Sequence, residues 1–334
     1  LRRLLPFNNK RVGISGPNSI AWSIVDFACM LASRTSVGIH QTYDTKSVEH
    51  VLQNSNIGVL FLTSDQLFQS IKSKRWNGKS VLENSSTVNH LVLLDSDVIT
   101  EDEEKKWISK HRGVSLWSLK DLMDDKEEQE QKQEQEQKQE QEQENSELTV
   151  LYTSGSSGRP KGVIVSSDTF LSDISEAIYT IPLVTCSYIP LSHSSDRMKL
   201  WKFLANGGRV GFVSYDPENW SEHEIAKKSE LVGNFVSNQF NGVMQLFNQI
   251  RELSPSAMSC PPRIWNGLFN IYLKEKEKRG EKEALKCVAS MFGTRIKTIA
   301  TGGGVTSLIV MDFAQRLANC CGSHFMESYG TTEV

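Results

Sequence analysis

The segment Tyr152-Thr-Ser-Gly-Ser-Ser-Gly-Arg-Pro-Lys-Gly162 concentrates the groups that grip phosphate. Gly155, Gly158 and Gly162 allow positive φ and leave backbone N–H groups uncovered. Thr153, Ser154, Ser156 and Ser157 add hydroxyl donors, and Lys161 adds a point charge able to reach phosphate oxygens. Each hydrogen bond to a charged partner contributes about 1.5–3 kcal/mol net, so a handful holds a nucleotide at millimolar to micromolar affinity. The Walker pattern G-x-x-x-x-G-K-[ST] does not fit, because counting from Gly155 puts Pro160 where the second glycine belongs and Gly162 where the hydroxyl belongs. A flexible Ser/Gly linker would not require Pro160-Lys161-Gly162 to run directly into the strand-like Val163-Ile-Val165.

Elements that could position this loop alternate along the chain. Apolar runs predict strands at Arg11–Ser15, around Val37-Gly-Ile, at Ile57–Leu62 and at Leu91–Leu94, then at Val150–Thr153, Val163–Val165, Arg209–Val213 and Ile296–Thr301. Helical periodicity predicts Ala21–Leu31, Phe170–Tyr179 and Arg263–Lys278, and Asp44-Thr45 caps a stretch with Val48, Val51 and Leu52 on one face. This rhythm implies an α/β fold with parallel-rich sheets covered by helices, whose ligands sit beyond the strands' carboxyl ends. Between its two portions, 1–123 and 148–334, lies the segment 124–147. There Glu128 to Glu144 alternates glutamine with charged residues and carries no apolar side chain. It has no burial to offset the entropy of ordering and is expected to be a disordered insertion, without function or serving as a tether.

From Asp124 to Glu147 there are 11 acidic residues against 3 lysines, so the chain's −3 less this −8 leaves +5 elsewhere. A mildly basic remainder suits a polyanionic ligand, and no dense Lys/Arg patch points to nucleic acid. The six cysteines show no C-x-x-C spacing and read as reduced, intracellular thiols. The longest nearly apolar run, Ile24 to Ala32, contains Asp26 and falls short of the roughly 20 residues that span a bilayer. The chain starts on Leu1 and stops at Val334, which reads as a piece cut at both ends.

Thr153 to Gly162 closely resembles the phosphate-loop signature T-S-G-[ST]-T-G-x-P-K-G of the adenylate-forming superfamily, with Ser157 in place of the usual threonine. Later segments follow the family's order. Tyr329-Gly330-Thr331-Thr332-Glu333 resembles Y-G-x-T-E, which implies that Tyr329 stacks on adenine, Thr332 contacts the α-phosphate and Glu333 supports Mg²⁺. Taken alone, such a segment reads as a plain surface turn. Gly302-Gly303-Gly304 follows a strand and precedes an amphipathic helix, resembling the G-G-A-P turn that forms a backbone wall against the base, although Gly304 and Val305 replace its last two residues. A tight strand-to-helix turn would account for three glycines equally well.

The stretch Pro190-Leu-Ser-His193-Ser-Ser-Asp196-Arg197 resembles the P-L-x-H-x-x-[DE]-R segment of long-chain acyl-CoA synthetases and carboxylic acid reductases. The resemblance places His193 near the bound carboxylate and α-phosphate. Asp196 and Arg197 are expected to form a local ion pair. Tyr43-Asp44-Thr45 and Pro261-Pro-Arg-Ile-Trp265 are similar to framework motifs of the long-chain synthetases.

The resemblance implies the layered N-terminal domain of that superfamily. It further implies activation of a carboxylic acid, in the leading reading a long-chain fatty acid, by ATP and Mg²⁺ to acyl-AMP, then thioester formation with CoA. The alternatives are an adenylation module loading a carrier arm and a non-catalytic nucleotide- or acyl-binding relative. A cytoplasmic location is implied, with peripheral contact at the cytosolic face of a membrane such as the endoplasmic reticulum. The family's C-terminal lid, with its lysine, is expected beyond Val334, so this chain by itself is expected to turn over little.

Overall fold

The computed structural model describes residues 4, 11–68, 87–95, 113–124, 147–154, 159–175, 183–213 and 238–330. The expected disordered insertion, residues 124–147, lies outside the described residues apart from its two ends. Two compact units are present, one of residues 1–175 with Pro190–Arg197, the other of Glu176–Ile189 with Met198–Val334.

The first unit is built on a seven-stranded sheet in the order β5-β4-β3-β1-β2-β6-β7. Its strands are β1 Arg11–Ser15, β2 Ser36–Ile39, β3 Ile57–Leu62, β4 His90–Leu93, β5 Ser115–Ser118, β6 Glu147–Ser154 and β7 Pro160–Ser166. From β5 through β6 every neighbouring pair is parallel, and only β7 runs antiparallel, against β6. All six residues of β3 are buried, as a strand covered on both faces requires. The helix Ile20–Leu31 packs Trp22, Val25, Asp26 and Cys29 inward at helical spacing, and its first turn is capped by Ser19, whose Oγ accepts from Trp22 N at 3.1 Å. Asp44 caps the helix Thr45–Asn54, with Ser47 N donating to Oδ1 at 2.9 Å, while Val48, Val51 and Leu52 enter the core.

The second unit carries two small parallel sheets. One pairs β8 Val184–Ser187 with β9 Arg209–Phe212; the other orders β10 Ala257–Cys260, β11 Thr298–Thr301 and β12 His324–Glu327. One hydrophobic core, including Cys186, Phe247, Trp265, Phe292 and Phe313, joins both sheets to their helices. Ser256 fastens the sheets by accepting from Val184 N at 2.8 Å, and Tyr188 donates to Ser259 O at 2.6 Å. The helix Pro262–Arg279 starts with proline in its first turn, where a missing N–H costs nothing. Leu308–Cys320 buries Val310, Phe313, Ala314, Leu317 and Ala318 along one stripe.

The α/β architecture read from the sequence is present, with boundaries shifted by a few residues. The strand read at Val150–Thr153 extends over eight residues, and the helix expected at Phe170–Tyr179 occupies Ser167–Ser175. All six cysteines are free thiols. Among the described residues no helix is long and apolar enough to cross a membrane.

Candidate active site

The segment Tyr152–Gly162, expected to grip phosphate, spans the end of the β6–β7 hairpin. Register places Thr153 opposite Lys161 and Ser154 opposite Pro160, so the hydroxyl and the ammonium stem start from facing positions at the carboxyl end of β6. Lys161 is exposed. Gly155, Ser156, Ser157 and Gly158 lie outside the described residues, as does the side chain of Ser154.

Gly162 departs from the sequence reading. It sits in a strand opposite Tyr152 and is absent from the described positive-φ glycines. A Cβ there would lie 2.9 Å from Val150 Cγ1 and 3.1 Å from Tyr152 Cζ, so the missing side chain makes room for the buried Tyr152 ring. That ring is anchored through its hydroxyl, which donates to Asn54 Oδ1 at 2.6 Å and lies 2.7 Å from Ser55 Oγ. Two further residues brace the hairpin from the same side. Tyr43 donates to Tyr152 O at 3.3 Å, and His50 Nε2 contacts Pro160 O at 3.1 Å.

His193 belongs to the same unit, in a turn held at several points. Leu191 N donates to Asn18 Oδ1 at 2.9 Å and His193 N to Pro190 O at 2.9 Å. The turn lies against β2 at Gly38, where a Cβ would come within 2.8 Å of Ser192 Cα. The helix Ser194–Ala205 then begins. Arg197 in its first turn is not paired only locally, as expected, but reaches Asp26, 171 positions away, through Nε at 2.8 Å and through Nη2. Its Nη1 donates to Thr149 Oγ1 at 2.6 Å and its Nη2 also meets Ser36 Oγ, so the buried guanidinium ties this turn to β2, β6 and the helix Ile20–Leu31. Sequence reasoning sought a partner nearby because spacing along the chain carries no record of the burial that brings Asp26 to Arg197.

The structure adds a residue that the sequence did not single out. His40, at the carboxyl end of β2, places Nε2 2.8 Å from His193 Nε2, with the rings edge-on at 76°. Its Nδ1 lies 2.9 Å from Thr42 Oγ1, and its ring tilts over Tyr43 at 5.6 Å. Burial, with the neighbouring His193, pushes the His40 imidazole down to about 4; burial also lowers His193, against an upward pull from Asp196. Both rings are therefore neutral near pH 7. The local signal for His40 was a histidine ending a strand, two residues before a hydroxyl.

In the second unit, β11 ends in the glycine turn. Ser328 N and Ser328 Oγ both donate to Thr301 O, at 2.9 and 3.0 Å, which locks the ends of β11 and β12 together. A Cβ at Gly302 would strike Ser328 Oγ and come within 3.0 Å of Ser328 O. Gly303 has φ 77, a conformation that suits glycine. Tyr329 and Gly330 follow directly, and the Tyr329 side chain is 97% exposed, leaving its ring faces open to a planar ligand. Thr331, Thr332 and Glu333 lie outside the described residues. Glu333 is the residue to which the resemblance gives Mg²⁺, and among the described residues no group of three or more His, Cys, Asp or Glu gathers to hold a metal ion.

The chain is 24% identical over 340 residues to fatty acyl-CoA synthetase B of Dictyostelium discoideum, covering 97% of this chain and 46% of that protein. It is 24% identical over 337 residues to the peroxisomal long chain acyl-CoA synthetase 7 of Arabidopsis thaliana, covering 97% and 44%. The chain thus spans about half the length of the curated relatives it matches. Its fold is similar to that of the A-PCP didomain of the carboxylic acid reductase from Segniliparus rugosus in complex with AMP, at TM-score 0.68 and 17% identity over 97% of this chain and 43% of that one. The model of the AMP-binding enzyme family matches residues 7–334, and the chain belongs to that family.

Proposed function

We propose that this chain is the nucleotide- and carboxylate-binding portion of an enzyme that activates a carboxylic acid with MgATP, releasing pyrophosphate and forming acyl-AMP. The observation that carries this reading is the β6–β7 hairpin, which sets Thr153 opposite Lys161 at the carboxyl end of a parallel sheet. A hydroxyl and a cation converging on one glycine-rich connection suit a polyphosphate better than a neutral ligand.

A carboxylate resists nucleophiles because delocalised negative charge shields its carbonyl carbon. Attack of a carboxylate oxygen on the α-phosphorus forms the new P–O bond. The bond to the bridging oxygen breaks, and its electron pair leaves with pyrophosphate. Both reactants are anionic, so the protein must neutralise and align them. In this reading Lys161, Thr153, Ser154, Ser156, Ser157 and the amides of Gly155 and Gly158 hold the phosphates. Gly302, Gly303 and Gly304 wall the base, Tyr329 stacks on it with Gly330 and Thr331 beside the nucleotide, Thr332 reaches the α-phosphate, and Glu333 supports the magnesium that arrives with ATP. His193 donates to an anionic oxygen of the reacting pair.

In the full-length protein the acyl group then passes to CoA, the thiolate attacking the acyl carbon and expelling AMP. Names of the relatives support a long-chain fatty acid as substrate. Likeness to the carboxylic acid reductase didomain favours a second reading, in which the acceptor is a carrier arm. Pyrophosphate release by the full-length protein, measured over carboxylates of increasing chain length with and without CoA, decides among them. We expect release to rise with chain length and acyl-CoA to form. Release without acyl-CoA points to the carrier arm, and no release from any carboxylate leaves a non-catalytic relative.

A further inference from the structure

His40 carries none of the roles given above, yet its ring meets His193 nitrogen to nitrogen at 2.8 Å. Because burial keeps both imidazoles neutral, each ring holds one N–H. One ring must then donate across the contact and the other accept. Two arrangements satisfy this. If His193 donates from Nε2, its Nδ1 is a bare lone pair, and His40 carries its proton on Nδ1 toward Thr42 Oγ1. If His40 donates instead, the Thr42 hydroxyl donates to His40 Nδ1 across 2.9 Å, and His193 carries its proton on Nδ1. A lone pair at His193 Nδ1 repels a carboxylate or phosphate oxygen, whereas an N–H binds it. An anionic ligand therefore selects the second arrangement.

We propose that His40 is a positioning residue for His193, holding it together with Thr42 as the tautomer protonated on Nδ1, so that it offers a donor to an anionic oxygen of the reacting carboxylate or α-phosphate. Both the tautomer and the role of its donor rest on the proposed function, which supplies the anionic ligand; the nitrogen-to-nitrogen contact itself does not. The edge-on packing of the two rings fixes their relative orientation. Tyr43, which tilts against His40 and donates to Tyr152 O, links the same histidine to the base of the phosphate hairpin.

Nitrogen-15 correlation spectra of histidine-labelled full-length protein, with His193 assigned by its loss in His193→Ala, read the tautomer directly. The expected result is a protonated Nδ1 and an unprotonated Nε2 on His193. The variant His40→Phe keeps a ring but no donor, and should return His193 to a mixture of tautomers. It should also lower kcat for pyrophosphate release by about 10- to 100-fold, the range typical when an orienting partner of a functional histidine is lost, with KM for ATP unchanged. His40→Gln retains a side-chain N–H donor and should recover most of both signals. A His193 protonated on Nε2 in the unaltered protein, or a tautomer and kcat unmoved by His40→Phe, overturns the proposal. If the unaltered protein activates no carboxylate, the proposed function fails, while the spectra still decide the pairing.

Discussion

Arg197 and Asp26 form an ion pair in which the side chains are 2% and 0% exposed, joining the turn that carries His193 to the helix Ile20–Leu31. With Thr149 and Ser36 also engaged, the guanidinium has partners on three sides. Removing one member strands the other charge where water cannot reach it. Arg197→Met should therefore destabilise the fold by about 3–5 kcal/mol in denaturant unfolding, and the double variant Arg197→Met/Asp26→Leu should regain part of that loss. Equal stability of Arg197→Met and the unaltered protein would show that the pair is dispensable.

Lys161 stands opposite Thr153, beside the connection proposed to hold phosphate. In the full-length protein Lys161→Ala should slow acyl-adenylate formation by roughly 10²- to 10³-fold, the typical effect of removing one preorganised donor from developing charge. Because the side chain is exposed, its thermal unfolding should hardly change. Glu333→Ala should be comparably slow. Near-normal pyrophosphate release by either variant refutes its assigned role.

Tyr329 offers a contrast between binding and folding. Its exposed ring contributes little to packing, so Tyr329→Ala should alter stability by less than about 0.5 kcal/mol. Loss of a base-stacking partner costs about 1–3 kcal/mol, or roughly 5- to 150-fold in KM for ATP. Gly302→Val should also weaken nucleotide binding, but by a different route. Its side chain collides with Ser328 and displaces the residue that precedes Tyr329, so this variant should lose stability too.

The histidine pair makes stability depend on pH in a definite direction. His40 titrates at about 4 in the folded chain against an ordinary 6.5, so folding favours its neutral form. Its contribution is fully present above pH ~6.5 and is lost as pH falls toward 4, because the unfolded chain takes up the proton first. His193, lowered in the same sense with Asp196 opposing, adds to the trend. The melting temperature should fall between pH 7 and pH 4.5, and the fall should be shallower in His40→Phe. An identical slope in that variant contradicts the neutral pair.

How far the sequence disclosed this arrangement depended on whether the physics was local. β3 was legible because six consecutive apolar residues are all buried, and the helix Thr45–Asn54 because Asp44 supplies its own cap. β10, Ala257-Met-Ser-Cys260, and β12, His324-Phe-Met-Glu327, have no such pattern and exist as strands through pairing with β11. The two strands on either side of residues 155–158 were legible from their apolar runs, although Gly162 proved to serve the packing of Tyr152. His40 and His193 are 153 positions apart, and nothing in their spacing could reveal that they touch. Their meeting depends on Gly38, which lets the His193 turn lie against β2.

The central claim, that this site transfers AMP to a carboxylate, is tested most directly by the carboxylate-dependent exchange of labelled pyrophosphate into ATP, using full-length protein and no CoA. The reaction as proposed is reversible at the acyl-AMP stage, so exchange should require a fatty acid and should fall at least about 100-fold in Lys161→Ala. Absence of exchange with every carboxylate, or cleavage of ATP to ADP and phosphate, would contradict it.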